Sequence, residues 1–326
     1  MVNTMKHVRL LAQIVRLIVI VLLLAACSAT QSTSSPVPPT TAPPTDVLPT
    51  PVPPTPVSPT PLPPTPLPPT PVPGTPTPTR FPALSPAAMS DLKLTILYDN
   101  IAGDPQLKAD WGFAALAEYG GHTLLFDTGA NGSYLLDNMR QLGVDPQTIE
   151  AVILSHEHGD HTGGLKALLD TGVKPTVYVP SAFSFLFKRQ VSNRTRLVEV
   201  ADALEIIPGI HTTRPVGYMD EQALVVETRD GLVVITGCAH PGGAEMVRQA
   251  QAVVVGKIAY LVGGLHLFET AQGMLPPIIT KVHQLGVEKI LPAHCTGDDA
   301  IALFRTEYGE NFVEGGVGRT VTISAK

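Results

Sequence analysis

The sequence predicts an α/β domain of two sheets packed face to face with helices outside, running from Asp91 to the C-terminus. Three observations predict it. Short apolar runs of strand length recur in both halves of the region, segments of helical periodicity separate them, and polar clusters follow directly on the strands.

Leu92–Tyr98 alternates apolar and polar positions and predicts the opening strand. Phe113–Ala117 and Thr123–Phe126 flank Gly120-Gly121, a hairpin signal. Leu135, Leu136, Met139 and Leu142 fall at helical spacing and predict a helix over Asn131–Leu142, stopped by Gly143. Ala151–Leu154 is a short apolar strand running straight into a histidine-rich segment. Ala223–Thr228 and Leu232–Thr236 form a second predicted hairpin, turned by Asp230-Gly231. Strands at Ile258–Val262 and Lys289–Leu291 follow, each leading into a loop with a histidine. A rigid scaffold presents side chains from several loops at one edge in this way.

Upstream the composition is different. Most of the 33 prolines lie between Pro36 and Pro86, and Leu48–Val72 reads LPTPV, PPTPV, SPTPL, PPTPL, PPTPV. Proline supplies no backbone donor, and the stretch has almost no charge or aromatic content to build a core. It predicts a disordered polyproline-type tether. Before it, Lys6, Arg9 and Arg16 precede the apolar run Leu17–Ala26, which suits a signal-peptide core and is too short to span a bilayer. Leu24-Ala25-Ala26-Cys27 resembles the lipobox of bacterial lipoproteins. That resemblance implies cleavage before Cys27, lipidation there, and an exported protein anchored at the outer face of the cell membrane. A plain signal anchor is the alternative. The chain thus divides into a signal peptide (1–26), a lipidated cysteine with its linker (27–90) and a catalytic domain (91–326). The net charge of −6 and the lack of a basic cluster in the mature chain argue against a nucleic-acid partner. A small-molecule substrate is expected instead.

Ser155-His156-Glu157-His158-Gly159-Asp160-His161 concentrates three imidazoles and a carboxylate. In an extended segment alternate side chains share a face, so His156, His158 and Asp160 converge. Such donors suit Zn²⁺, with Fe or Mn²⁺ as alternatives. One cation cannot readily use all four from so short a segment, which points to two adjacent metals. Thr162-Gly163-Gly164-Leu165 reads as a helix entrance capped by Thr162.

HEHGDHTGGL, preceded by Leu124-Leu125-Phe126-Asp127-Thr128-Gly129, resembles the metallo-β-lactamase superfamily. The resemblance extends from Leu92 to about Ile323. It is closest to the branch labelled dihydropterin ribofuranosyl-aminobenzene phosphate synthase-like. Tyr98-Asp99-Asn100, Trp111-Gly112-Phe113, Thr236-Gly237-Cys238-Ala239-His240, Gly263-Gly264-Leu265-His266 and Pro292-Ala293-His294-Cys295-Thr296-Gly297 carry that likeness. It implies a four-layer αββα sandwich with a dinuclear site along the top edge of its sheets.

By that resemblance His156 and His158 bind a first metal, and Asp160, His161 and His294 a second. No GHT-type segment supplies the family's third histidine for the first metal. His211 falls roughly at its place in the wrong context, so His240 is the favoured replacement. Cys238 stands where many relatives have a bridging aspartate, which makes it a candidate thiolate ligand. Cys238 and Cys295 each lie within two residues of a candidate ligand histidine, which argues against a disulfide between them. Asp127 reads as a carboxylate that orients ligands, and His266 as a pocket residue able to protonate the leaving group, with a packed structural role as its alternative. Asn100 and Trp111 are candidates for shaping the pocket, Cys295 for a small buried residue. His122 and His283 read as solvated.

Two divalent ions about 3.5–4 Å apart share a water and lower its pKa from near 16 toward 7. The expected activity is therefore hydrolysis of an ester, lactone, phosphodiester or related bond by a metal-bridged hydroxide oriented by Asp160. No GxSxG elbow, GxGxxG or P-loop pattern competes. Redox diiron relatives replace the residue equivalent to His158 with Glu and add a flavin domain; His158 is intact and the chain has no room for that domain. A catalytically silent metal- or ligand-binding lipoprotein is the alternative from another class. Fold does not choose the substrate, and a pterin-linked intracellular reaction fits poorly with export. Ser181–Tyr218, with Phe183, Phe185, Phe187, Lys188, Arg189 and Arg194, reads either as an aromatic and basic overhang of the site or as a solvated excursion.

Overall fold

The computed structural model describes residues 79–85 and 87–324, so the N-terminal apolar run, Cys27 and the proline repeats lie outside the described residues. One sheet contains β1 (Leu92–Tyr98), β2 (Ala114–Tyr119), β3 (His122–Phe126), β4 (Ala151–Ile153), β5 (Thr176–Pro180), β6 (Leu197–Val200) and β13 (Thr320–Ile323). Its order is β13-β1-β2-β3-β4-β5-β6. The other contains β7 (Leu204–Ile207), β8 (Ile210–Thr212), β9 (Leu224–Thr228), β10 (Gly231–Thr236), β11 (Ile258–Gly264) and β12 (Val287–Ala293). Its order is β12-β11-β10-β9-β8-β7. Pairing is parallel from β3 to β6 and from β10 to β12. Parallel strands end on the same side, so the loops after β3, β4, β10, β11 and β12 are gathered at one edge.

Strand periodicity explains the layers. Leu94 and Ile96 of β1 meet Val233 and Ile235 of β10 between the sheets. The next residue, Leu97, faces α1 (Gly132–Gln141) and α3 (Leu165–Asp170), with α2 (Gly159–Thr162) and α4 (Phe185–Ser192) on either side of α3 in sequence. Leu232 and Val234 face α5 (Gly243–Val253), α6 (Leu275–Gln284) and α7 (Asp298–Tyr308). β4 and β11 are buried throughout, which is why they read as continuous apolar runs rather than alternating ones. The four layers are thus helix, sheet, sheet, helix.

Local differences from the sequence reading have identifiable causes. Tyr119 pairs with His122 across Gly120-Gly121, both at positive φ (60° and 86°), so β2 extends to a two-residue turn. In the second hairpin Thr228 pairs with Gly231, so Arg229-Asp230 form the turn rather than Asp230-Gly231. Thr162 does not cap a following helix. It ends α2, and its hydroxyl donates to the His158 carbonyl at 3.0 Å. α3 starts after Gly164, where a Cβ would lie 2.0 Å from the Thr128 carbonyl oxygen. The glycine pair is there for close backbone approach. The last residues of the segment read as linker lie against the domain: Phe81 N–H donates to Val253 O at 2.8 Å, and Leu84 N–H to Glu227 at 2.8 Å.

Candidate metal centre

The histidine-rich segment leaves the end of β4 as an irregular loop and enters α2 at Gly159. Asp160 therefore does not continue an extended alternation with His156 and His158. The helical turn sends it to a different set of neighbours, and two donor groups result. His156 Nε2 lies 3.0 Å from His158 Nδ1 and 3.2 Å from His240 Nε2. Asp160 Oδ2 lies 3.3 Å from His294 Nε2 and 3.6 Å from His161 Nε2. Within each group the donor atoms are all within 4.8 Å of one another. Cys238 Sγ, 3.2 Å from His161 Nε2, also groups with His156 and His161.

Outer partners fix which ring nitrogens face inward. Asp127, fully buried, accepts from Ser155 N–H (2.7 Å), Ser155 Oγ–H (2.7 Å) and His161 Nδ1 (2.8 Å). Ser155 Oγ also lies 2.9 Å from His156 Nδ1. Asn100 Oδ1 holds His294 Nδ1 at 3.0 Å, while the Tyr218 hydroxyl lies 3.2 Å from His240 Nδ1. A neutral imidazole that donates from Nδ1 keeps a bare lone pair on Nε2. The Nδ1 contacts of His161 and His294 turn the Nε2 atoms of both rings inward.

Burial and the neighbouring imidazoles hold His156 far below an ordinary histidine pKa. Burial and the adjacent His266 and His158 lower His240 to about 4. Burial opposes ionisation of Asp160, yet the adjacent His294 and the charge of His161 hold its carboxyl well below the usual carboxylate range. His294 runs the other way, raised to about 9 despite burial because Asp160 and Cys295 stand beside it. His294 Nε2 is buried and, although Asp160 Oδ2 lies 3.3 Å away, makes no well-aligned hydrogen bond among the described residues. An orphaned buried nitrogen amid converging lone pairs and a carboxylate is costly by itself and fits a divalent cation. The residues present therefore suit the metals that the sequence implies.

Two supporting carboxylates complete the site: Glu221, which lies in no motif, and Asp99, which lies in Tyr98-Asp99-Asn100 but without a role predicted there. Glu221, fully buried, accepts the backbone N–H groups of Cys238 (2.9 Å), Ala239 (2.7 Å) and His240 (2.8 Å). It shapes the whole Gly-Cys-Ala-His loop. Asp99 accepts the N–H groups of His294 (3.0 Å) and Ile101 (3.1 Å), and burial pushes its pKa up to about 6. Gly237 is equally constrained: a Cβ there would lie 2.1 Å from Ser155 Oγ and 2.8 Å from Asp127 Oδ2.

Other candidates are placed as follows. His266 follows β11 in left-handed backbone (φ 49°), its ring 4.2 Å from that of His240. Trp111 stacks edge-on against His294 at 4.8 Å. Cys295 is buried beside His294 and is a free thiol, as is Cys238. His211 is buried on β8 against Glu227 at 2.8 Å, among neither donor group. His122 and His283 are exposed, each beside a carboxylate. The Ser181–Tyr218 segment touches the site at two points: Ser184 donates to Glu157, and Tyr218 meets His240. Two of its three named cations are turned elsewhere, Lys188 to Glu199 and Arg194 to Asp170, so those two do not form a basic overhang.

Asparagine at Asp127 would set an amide donor against Ser155 Oγ or His161 Nδ1 and favour the wrong histidine tautomer. Asp127→Asn is expected to lower metal affinity roughly 10–100-fold with the fold retained. Competition against a chromophoric chelator measures it, and unchanged affinity would refute the orienting role.

Two sheets sandwiched by helices, with this donor set along one edge, define the class: the chain has the metallo-β-lactamase fold. The model of the metallo-beta-lactamase superfamily matches residues 112–255. The chain is similar to the 7,8-dihydropterin-6-methyl-4-(beta-D-ribofuranosyl)-aminobenzene-5'-phosphate synthase of Methanocaldococcus jannaschii, at 29% identity over 58% of this chain and 80% of the relative. Among solved structures, a metal-dependent hydrolase of the beta-lactamase superfamily superposes with TM-score 0.63 at 26% identity, covering 72% of this chain and 100% of that one. A metallo-beta-lactamase fold protein from Bacillus subtilis shares the fold at TM-score 0.54 and 16% identity, covering 72% and 99%.

Proposed function

We propose that this protein is a dinuclear metal-dependent hydrolase of the metallo-β-lactamase superfamily, acting on an ester, lactone, phosphodiester or related bond. The observation that carries the proposal is the pair of donor groups, His156/His158/His240 and Asp160/His161/His294, converging from loops of both sheets. Zinc suits the imidazole-rich first group, and iron or manganese would be tolerated by the second. A pair of divalent cations held there would acidify a coordinated water and neutralise developing negative charge.

The chain's own groups do the rest. Asp160 stays ionised and accepts a hydrogen bond, which orients a nucleophile beside the donors. Cys295 raises the His266 pKa against the effect of burial, so that ring keeps its proton over a wider range. It stands beside His240, placed to protonate a leaving group. Trp111 and Phe268, 5.2 Å apart, wall the mouth on the His294 side.

The full chain, with metals quantified, is to be assayed on ester, lactone and phosphodiester panels. About two divalent ions per chain are expected, with turnover of at least one class that is abolished by a chelator and restored by zinc. Tight metal without any turnover would instead favour a silent binding protein. Similarity to a synthase favours a second reading, group transfer, in which product appears once an acceptor other than water is supplied.

The same proposal places the domain outside the cell, anchored through a lipid on Cys27. The basic start, short apolar run and Leu-Ala-Ala-Cys sequence support this. Cys27→Ser is expected to abolish incorporation of labelled palmitate and release the protein from membranes. Labelling that persists in the variant would sink the assignment.

A further inference from the structure

Two cavities flank the metal centre, and their charges are opposite. One, of about 420 Å³, opens past His240 and His266 and runs between α5 and α6. Arg248 and Lys281 line it, with Glu245 as its one carboxylate, over an apolar floor that includes Leu265, Val282 and Phe304. Arg248 neutralises Glu245 at 2.7 Å, and Glu245 is further held by Gln249 at 2.8 Å. Lys281 has no ion pair or hydrogen bond among the described residues. The cavity therefore carries a net positive charge, in a chain whose net charge is −6.

The second cavity, of about 430 Å³, lies on the other side of the Leu265–Phe268 segment. His294, Trp111 and Phe268 line it together with Asp298 and Asp299, and no Lys or Arg does. Each cavity thus reaches a different donor group, the first through His240 and the second through His294. A molecule whose reacting bond lies over both groups must extend one arm into each. An anionic arm is repelled by Asp298 and Asp299 and drawn toward Lys281, so the polarity of the clefts sets the direction in which a substrate lies.

We infer that the substrate is charge-asymmetric, with a phosphate or carboxylate arm held in the α5–α6 cleft by Lys281 and Arg248. Its other arm, neutral or cationic and able to pack on Trp111 and Phe268, occupies the Asp298 cleft. This rests on the hydrolase reading for the position of the reacting bond, but the anion cleft is testable without turnover. Uncharged first-turn amides of α5, which begins at Gly243 with no side-chain cap, add favourable dipoles along the same wall.

The test uses the full chain as purified, with glycerol 3-phosphate as probe and glycerol as control. Titration calorimetry should show saturable binding of the phosphate and none of glycerol. Affinity is expected to fall about tenfold in Lys281→Ala and further in Lys281→Glu or Lys281→Ala/Arg248→Ala, while Asp298→Asn leaves it unchanged or tighter. Both cations are surface residues, so these variants should fold. No binding, or equal affinity in wild type and Lys281→Glu, would overturn the inference, because phosphate would then be absent or held at the metals alone. For an anionic ester found by the assay, Lys281→Ala should raise KM and leave kcat intact. Binding that obeys these variants without turnover on any substrate would defeat the hydrolase and leave the anion cleft standing.

Discussion

His158→Ala and Asp160→Ala should each cut turnover by at least about a thousandfold while leaving the fold intact. Each removes one donor from a different group, His158 from the one with His156 and His240, Asp160 from the one with His161 and His294. Metal-assisted charge stabilisation is worth several kcal/mol, and about 1.4 kcal/mol corresponds to tenfold in rate. The two variants should differ in what they retain. His158 is partly exposed at the loop tip, so its loss depletes the first metal while the His161 and His294 pair, buried and braced by Asp127 and Asn100, keeps its own. Asp160→Ala should show the reverse. Metal stoichiometry beside initial rates checks both, and full hydrolytic activity in either variant would defeat the two-metal assignment.

The second large effect is expected away from any ligand. Glu221→Ala strands two buried N–H donors and a part-buried third in the Cys238–His240 loop. An unsatisfied buried donor costs about 1–3 kcal/mol. Entry of water would recover part of that, leaving a loss of about 3 kcal/mol or more. At roughly 2–4 °C per kcal/mol for a domain of this size, the melting temperature should fall by roughly 6–12 °C. Glu221→Gln should fall between, because an amide oxygen still accepts two of the three donors while its NH₂ opposes the third. A Glu221→Ala variant that melts with the wild type would show that the loop does not depend on this carboxylate.

His158, Asp160 and Glu221 also mark what the sequence makes legible. His158 and Asp160 announce themselves because ligands come as polar side chains packed into an otherwise apolar neighbourhood. His294 and His240 do so by following apolar strands. Glu221 offers no such pattern, since its partners are backbone amides eighteen or so residues away that any sequence would possess. Its single trace is a carboxylate placed just before the buried strand Leu224–Thr228. Ser155 is a similar case: a hydroxyl before the motif gives no sign that it bridges Asp127 to His156. The sheets were readable wherever burial was one-sided or complete over several residues. The short strands β5 to β8 were not, because apolar and polar residues there follow neither period cleanly. The helical turn at Gly159 was hidden for a different reason. Gly-Asp-His-Thr has little propensity to start a helix, and Thr128 holds the turn from outside, its N–H and hydroxyl both donating to the His161 carbonyl at 2.7 and 2.8 Å.

Among the described residues, the non-glycine positions with left-handed backbone are Asp127, Asp220, Ala239, His266 and His294, with φ between 47° and 56°. Four of them lie one to three residues beyond the ends of β3, β10, β11 and β12 at the metal edge, and Asp220 adjoins Glu221. Such conformations cost of the order of 1–3 kcal/mol each. Attempts to toughen this protein for use at high temperature will therefore meet a conflict, because the positions with most conformational energy to release are those that aim the donors. Glycine at His294 or His266 would relax the chain and delete the side chain for which it is bent. Gains in robustness are better sought at the opposite ends of the strands, where turns such as Arg229-Asp230 can be redesigned without moving a ligand.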